Sequence, residues 1–324
     1  EVHRDSVLNT ALSIFGAGYG EDSEIWGNTV VNISDAANIV KVFGGGEMGV
    51  VGNLERDADG IRTGNIEAAV STEINLLAGN ADKIYGGGFE GPVTGHTTVN
   101  LVGGTAYDVI GGACNADIEE YAETYVGRSG ASTIPTIINN VYGANDFGGE
   151  IKGTKDYASR ITTEAADKVY NSGLTSASAY VEYIKGRAKY IFGGAKAAYD
   201  YKDQAFYSKY ADSEGKAIGD FTKPFIGNAF VNFRPEYDAG NSITRVYGGG
   251  QGYYNERDKD LLQGNSYVLV DVPADVEEFA TLEGFGAGDY SGVGMDVPAA
   301  TVRTNEESDA TDVTAAAVID LVRG

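Results

Sequence analysis

The fold class this sequence predicts is all-β: a right-handed parallel β-helix of about nine coils, one domain over residues 1–324, with loop insertions along one edge. Three observations predict it. A glycine turn recurs along the chain, a second phrase of strand character keeps phase with it, and glycine reaches 46 residues while proline stops at 6. Glycine at about twice its usual ~7%, with so little proline, means many tight turns rather than collagen or a proline-rich linker.

The glycine turn reads KVFGGG at 41–46, KIYGGG at 83–88, YIFGGA at 190–195 and RVYGGG at 245–250, with looser copies between. The residue before the first glycine marks the phase: Phe15, Phe43, Tyr85, Ile110, Tyr142, Tyr170, Phe192, Tyr247 and Phe285, spaced 22 to 55 residues apart. Periods of roughly 20–50 residues belong to solenoids, propellers and arrays, and they outrank any local motif. Gly44, Gly46 and Gly49 fit GxGxxG, but no helix pattern follows, and Gly86, Gly88 and Gly91 repeat the match one coil later. A pyrophosphate loop needs the helix, so the match is a by-product of the repeat. Access to positive φ is the expected reason for glycine at these turns, since successive coils must bend at one point.

The second phrase is GNTVVNI at 27–33, GHTTVNL at 95–101, GNAFVNF at 227–233 and GNSYVLV at 264–270. Its period of two marks strands. Val31 and Ile33, Val99 and Leu101, Val231 and Phe233, and Val268 and Val270 take the inner face, leaving Asn32, Asn100 and Asn232 outside. STEINL at 71–76 joins the set, with Ile74 and Leu76 inside and Asn75 outside. The stretch 179–194 aligns without gaps on 97–112, so 154–190 reads as two further coils rather than a helical excursion. VTAAAVIDLVRG at 313–324 aligns on VTGHTTVNLVGG at 93–104, so the chain is expected to stop in mid-coil and to belong to a longer repeat protein.

One such unit cannot bury its own apolar face. Stacking pairs like strands in parallel, about 4.8 Å apart, and closes a common core, while both ends keep open strand edges. The right hand follows the crossover tendency of parallel β connections.

Composition narrows the partners. A formal charge of −23 and a pI near 4.3 disfavour nucleic acid and anionic membrane surfaces, and no apolar run is long enough for membrane insertion. Cys114 is the only cysteine, so no intramolecular disulfide forms, and its flank GGACNA reads as a packed thiol.

Insertions between the glycine turn and the GNT-type strand would cluster on one edge of a solenoid, commonly the binding edge. The aromatic-rich insertion 196–226 carries Tyr199, Tyr201, Phe206, Tyr207 and Tyr210; the next coil adds Tyr253 and Tyr254 at the same phase. Tyr121 and Tyr125, and the single tryptophan Trp26, occupy corresponding loops. Aromatic rings with polar handles suit a glycan or a protein partner; the plainer reading is that they pack the loops down.

Catalysis finds little support. His3 and His96 are the only histidines, and His96 stands where Asn28 and Asn228 stand in the repeat, a turn position. Carboxylates such as Glu119 and Glu120, or Asp200 and Asp203, show no recurring partner that would split their pKa values. No cofactor is implied; for Ca2+ the weak candidates are Asp57 and Asp59 in ERDADG, with Asp289 later, and neither site continues into an EF-hand loop.

The pairing of VYGGG-type turns with GNTxVNI-type strands resembles the tandem repeats of bacterial secreted and surface β-helix proteins described as adhesin-like, over nearly the whole chain. The resemblance implies the same hand, an extracellular or cell-surface location, and a structural or adhesive role, and it supplies no catalytic position. The expectation is a non-catalytic module that contacts an extracellular glycan or protein. Two alternatives stand beside it: a carbohydrate-active β-helix enzyme of polysaccharide lyase or glycoside hydrolase type, and a surface-fibre subunit that self-associates through its open ends.

Overall fold

A repeat of this kind requires strands that stack in register. The computed structural model describes residues 12–35, 39–161, 175–199, 224–236, 240–252 and 265–270, with the backbone of 321–323. Over these residues the chain is all-β and built on two long parallel sheets, compatible with a β-solenoid.

The first sheet, nine-stranded, collects the segments that lead into the glycine turns. Its order is Leu12–Phe15, Ile39–Phe43, Asn80–Tyr85, Thr105–Ile110, the split pair Thr136–Ile137 and Asn140–Tyr142, Arg187–Phe192, Ser242–Tyr247 and Leu321–Arg323. The second sheet, seven-stranded, collects the GNT-type phrase: Thr29–Ile33, Thr72–Leu76, Thr97–Leu101, Ala122–Val126, Ala179–Tyr183, Ala229–Phe233 and Ser266–Val270. Between a first-sheet strand and the next second-sheet strand the chain makes one short parallel step. Ile25 pairs with Val51, Val51 with Val93, Val93 with Ile118, Ile118 with Ile151, and Ile151 with Ile226.

The core lies between the sheets. Val42, Ile84, Val109, Val141, Ile191 and Val246 come from the first, and Ile74, Leu76, Leu101, Val126, Val181 and Val231 from the second, all buried. Each such side chain contributes roughly 1.5–3 kcal/mol by leaving water. The inward residues expected of the second phrase are in place, with Val31, Val268 and Val270 only partly buried in the outermost strands.

The phase marks form a column of their own. Phe15 stacks on Phe43 at 4.7 Å, Phe43 on Tyr85 at 4.7 Å, Tyr142 on Phe192 at 5.1 Å and Phe192 on Tyr247 at 4.8 Å. These separations match the strand spacing, so the parallel register itself places the rings face to face.

Glycine holds its turn for a different reason from the one expected. Positive φ is absent at Gly44 and Gly86; the left-handed glycines include Gly79 and Gly104, which lead back from the second sheet to the first. What excludes a side chain at the glycine turn is the equivalent turn after the next strand of the sheet: a Cβ on Gly44 would sit 2.2 Å from the Gly86 carbonyl oxygen, and one on Gly86 would sit 2.0 Å from that of Gly111. Those carbonyls are also used. Thr29, Thr72 and Thr97 donate their hydroxyls to the oxygens of Gly44, Gly86 and Gly111 at 2.6, 2.6 and 2.7 Å, which explains the threonine that opens the strand phrase.

Three expectations are corrected. The stretch 154–190 supplies one strand to the second sheet rather than the two that a pair of repeats would give, because Ala122–Val126 pairs directly with Ala179–Tyr183 and leaves no room for a strand between them. Lys155–Asp156 instead pairs antiparallel with Ser176–Ala177, and a 3-10 turn occupies Ala158–Arg160; the expected phase mark Tyr170 lies outside the described residues. Asn232 is fully buried, since this excursion covers it: its amide donates to the Tyr180 hydroxyl at 3.0 Å and to the Arg160 carbonyl at 3.2 Å. Finally, Leu321–Arg323 pairs with Arg245–Tyr247 in the first sheet, the phase of the glycine turn rather than that of the GNT-type phrase.

Candidate functional site

The second sheet turns one face to the core and one outward, and register arranges the outward side chains in columns. One column runs Asn32, Asn75, Asn100, Tyr125, Glu182, Asn232 and Leu269. Its first three members are an amide ladder: Asn100 Nδ2 donates to Asn75 Oδ1 at 2.9 Å, and Asn75 Nδ2 to Asn32 Oδ1 at 2.9 Å. Like amides one parallel step apart bond in this way, as in stacked-strand assemblies. Glu73 accepts from Asn75 at 2.8 Å and from Asn100 at 3.4 Å.

Beyond Tyr125 the outward face is covered by the 155–161 excursion. Tyr157 stacks on Tyr180 at 3.9 Å, and Phe230 meets both rings near edge-on. The Glu182 side chain, 1% exposed, accepts from the Tyr180 hydroxyl and from Arg234 Nη2, each at 2.6 Å, with Arg160 at 3.8 Å. A carboxylate taken out of water needs such partners to offset its lost hydration. Burial and the Glu182 charge push the Tyr180 phenol far above its ordinary value.

A groove of about 600 Å³ opens where the amide ladder meets the covered half. Asn75, Asn100 and Tyr125 line it from the sheet, Arg160, Glu182 and Arg234 from the covered half, and Val102, Arg128 and Ser129 from the turns that leave the sheet. The Arg160 guanidinium lies 5.3 Å over the Tyr125 ring, a cation–π distance.

A second polar cluster sits beside the aromatic column. Asp146, nearly inaccessible, accepts from the Tyr85 hydroxyl at 2.8 Å and from the Tyr199 hydroxyl, with Lys83 and Lys196 each at 4.0 Å. Lys196 also meets Asp108 at 3.1 Å. Burial would lower the Lys196 ammonium, but Asp146 and Asp108 outweigh it and hold its pKa above the ordinary value. Burial, aided by the Asp146 charge, pushes the neighbouring Cys114 thiol up to about 12. Asp108, Asp146, Lys83 and Lys196 each have a partner within the cluster, which braces Lys196 and Tyr199 against the aromatic column.

The expected site residues separate accordingly. Tyr199 belongs to this brace, its ring against Phe147 at 5.6 Å. Tyr201, Phe206, Tyr207, Tyr210, Tyr253 and Tyr254 lie outside the described residues. Tyr125 stands on a strand rather than a loop and enters the groove. Tyr121 stacks at 4.7 Å on His96, whose Nδ1 lies 2.9 Å from Ser71 Oγ and 3.2 Å from Glu120 Oε2. Asp57 caps the exposed hairpin Asn53–Arg56 and Arg62–Ala68, its Oδ1 accepting from the Asp59 and Ile61 amides at 3.0 and 2.8 Å, so Asp57 and Asp59 serve a turn. Among the described residues no group of three or more His, Cys, Asp or Glu side chains is placed to hold a metal ion. Arg160 and Arg234 escaped the sequence reading because they lie outside the repeated phrases. Glu182 left a usable signal: the alignment of 179–194 on 97–112 puts it at the position of Asn100.

Comparison with protein-family models, with curated proteins and with solved structures finds no match for this chain. No residue role is therefore carried over from a relative, and function rests on the site's own chemistry.

Proposed function

We propose that this chain is a right-handed parallel β-helix module of an extracellular or bacterial surface protein, one that contacts a glycan or protein partner without catalysis. The observation that carries the reading is the state of Glu182, the buried carboxylate at the groove. A general acid or base must exchange its proton with a substrate, and this one is committed to Arg234 and the Tyr180 hydroxyl. The coil reading is supported by the repeated order of first-sheet strand, short parallel step and second-sheet strand. The repeated residues serve turns, ladder and core, which leaves contact to the groove and to inserted loops; the resemblance to adhesin-like repeats supports the location.

Screening the purified chain on a glycan array, with product analysis on the glycans that bind, tests this function. Binding without reducing ends or unsaturated products is the expected result. Release of either product would replace the module by an enzyme.

A further inference from the structure

Once the groove's internal pairs are made, a small set of polar groups is left over. Asn100 ends the amide ladder: its Nδ2 is used by Asn75 and Glu73, and among the described residues no donor reaches its Oδ1. Arg128 is exposed on the turn after Ala122–Val126, and its guanidinium has no carboxylate within ion-pair distance among those residues. Tyr125, partly exposed, is next in the column after Asn100 and on the strand that leads into Arg128, with the Arg160 guanidinium over its ring. Val102 and Ile184 add apolar surface. The groove thus offers a lone acceptor and an aromatic ring one strand apart in the stacking direction, with a planar multiple donor and aliphatic patches at the turns beside them.

A chain of sugar rings has the matching pattern: hydroxyls that both donate and accept, apolar C–H faces, and a repeat about as long as one strand step. Charge selects within that class. Arg160 and Arg234 share the one Glu182 carboxylate and Glu73 is held by the two amides, so the lining keeps a small positive surplus in which Arg128 alone lacks a carboxylate among the described residues, without the row of free cations a polyanion needs. The molecule around it carries −23 and would repel one. We infer that the groove binds a neutral pyranose glycan lying along the asparagine ladder, with Asn100 and Arg128 bonding to ring hydroxyls and Tyr125 packing against a ring. This deepens the contact-module reading and rests on it.

The test is calorimetry of the full chain with neutral hexasaccharides of glucose, mannose and xylose, and with an oligogalacturonate as the acidic counterpart. Arg128→Ala and Asn100→Ala are compared with the parent chain after matching their melting curves. One neutral oligosaccharide should bind, each variant should weaken it about tenfold, as loss of a bond to a charged or buried partner does, and the oligogalacturonate should not compete. Undiminished binding in both variants would overturn the groove assignment and leave the contact module standing with its site elsewhere. Preference for the oligogalacturonate would overturn the neutral ligand. No binding of any oligosaccharide would overturn the inference outright, and the array, which carries other glycans, shows whether the wider reading falls with it.

Discussion

Arg234 and Glu182 stand 52 residues apart in sequence and 2.6 Å apart in space. Removing the half-buried guanidinium leaves a buried carboxylate with the Tyr180 hydroxyl and a distant Arg160, and stranding a buried charge from one side is more damaging than replacing both partners. Arg234→Ala is therefore expected to destabilise the fold by about 3 kcal/mol, read from urea midpoints, while Arg234→Met with Glu182→Leu recovers most of the loss. Cys114 makes a second residue-scale prediction. Its thiol, pushed up to about 12 by burial and the Asp146 charge, has almost no thiolate at pH near 8, so iodoacetamide should spare it in the native chain and label it in urea. Rapid labelling without denaturant would show that the glycine turn around Cys114 opens readily.

At the scale of elements, the glycine turn carries the sharpest contrast. Gly86→Ala drives a methyl into the Gly111 carbonyl, whereas Gly20 has open space around it. We expect Gly86→Ala to lose about 3 kcal/mol and Gly20→Ala to stay within about 0.5 kcal/mol, measured by denaturant unfolding. Position and period of these turns are legible in the sequence because the same residue types recur in the same order. Their physical cause is not, since it lies in the glycine turn stacked next to each and local propensity knows only φ. The groove is half legible for the same reason: Asn75 and Asn100 announce themselves by period, but Arg160 and Arg234 reach it through a covering segment and a turn with no repeat to mark them. The hairpin 53–68 offers a pH test. It is tied to Glu24, which contacts Arg56 at 3.0 Å, Arg62, and the Trp26 indole at 2.8 Å. Burial would raise the Glu24 carboxyl, but the Trp26, Arg62 and Arg56 contacts together leave it below its usual value. A depressed folded value means the tie is complete above the ordinary glutamate value of about 4.3 and is lost as pH falls through the lower folded one. Trp26 is the only tryptophan, so its fluorescence should titrate with a midpoint under that ordinary value and cease to do so in Glu24→Gln.

For the whole molecule the dominant fact is charge. Lysine and arginine number 24 against 47 aspartates and glutamates, and many placed cations are already spent: Arg56, Arg62, Lys152, Lys155, Lys196 and Arg234 each lie beside carboxylates. Added salt acts on two opposed terms. It weakens the exposed pairs, each contributing about 0–1 kcal/mol, and it screens the repulsion among the surplus anions. The pair at Glu182, with its carboxylate buried and Arg234 half-buried, is partly shielded from this effect, whereas the surplus of −23 is spread over one chain. Raising NaCl from about 10 mM to about 100 mM shortens the screening length from ~30 Å to ~10 Å, which removes long-range repulsion before it removes contacts at ion-pair distance. Thermal melting should therefore move upward over that range. A downward shift would mean that the exposed pairs outweigh the field, and with it would go the electrostatic argument that the groove turns polyanions away.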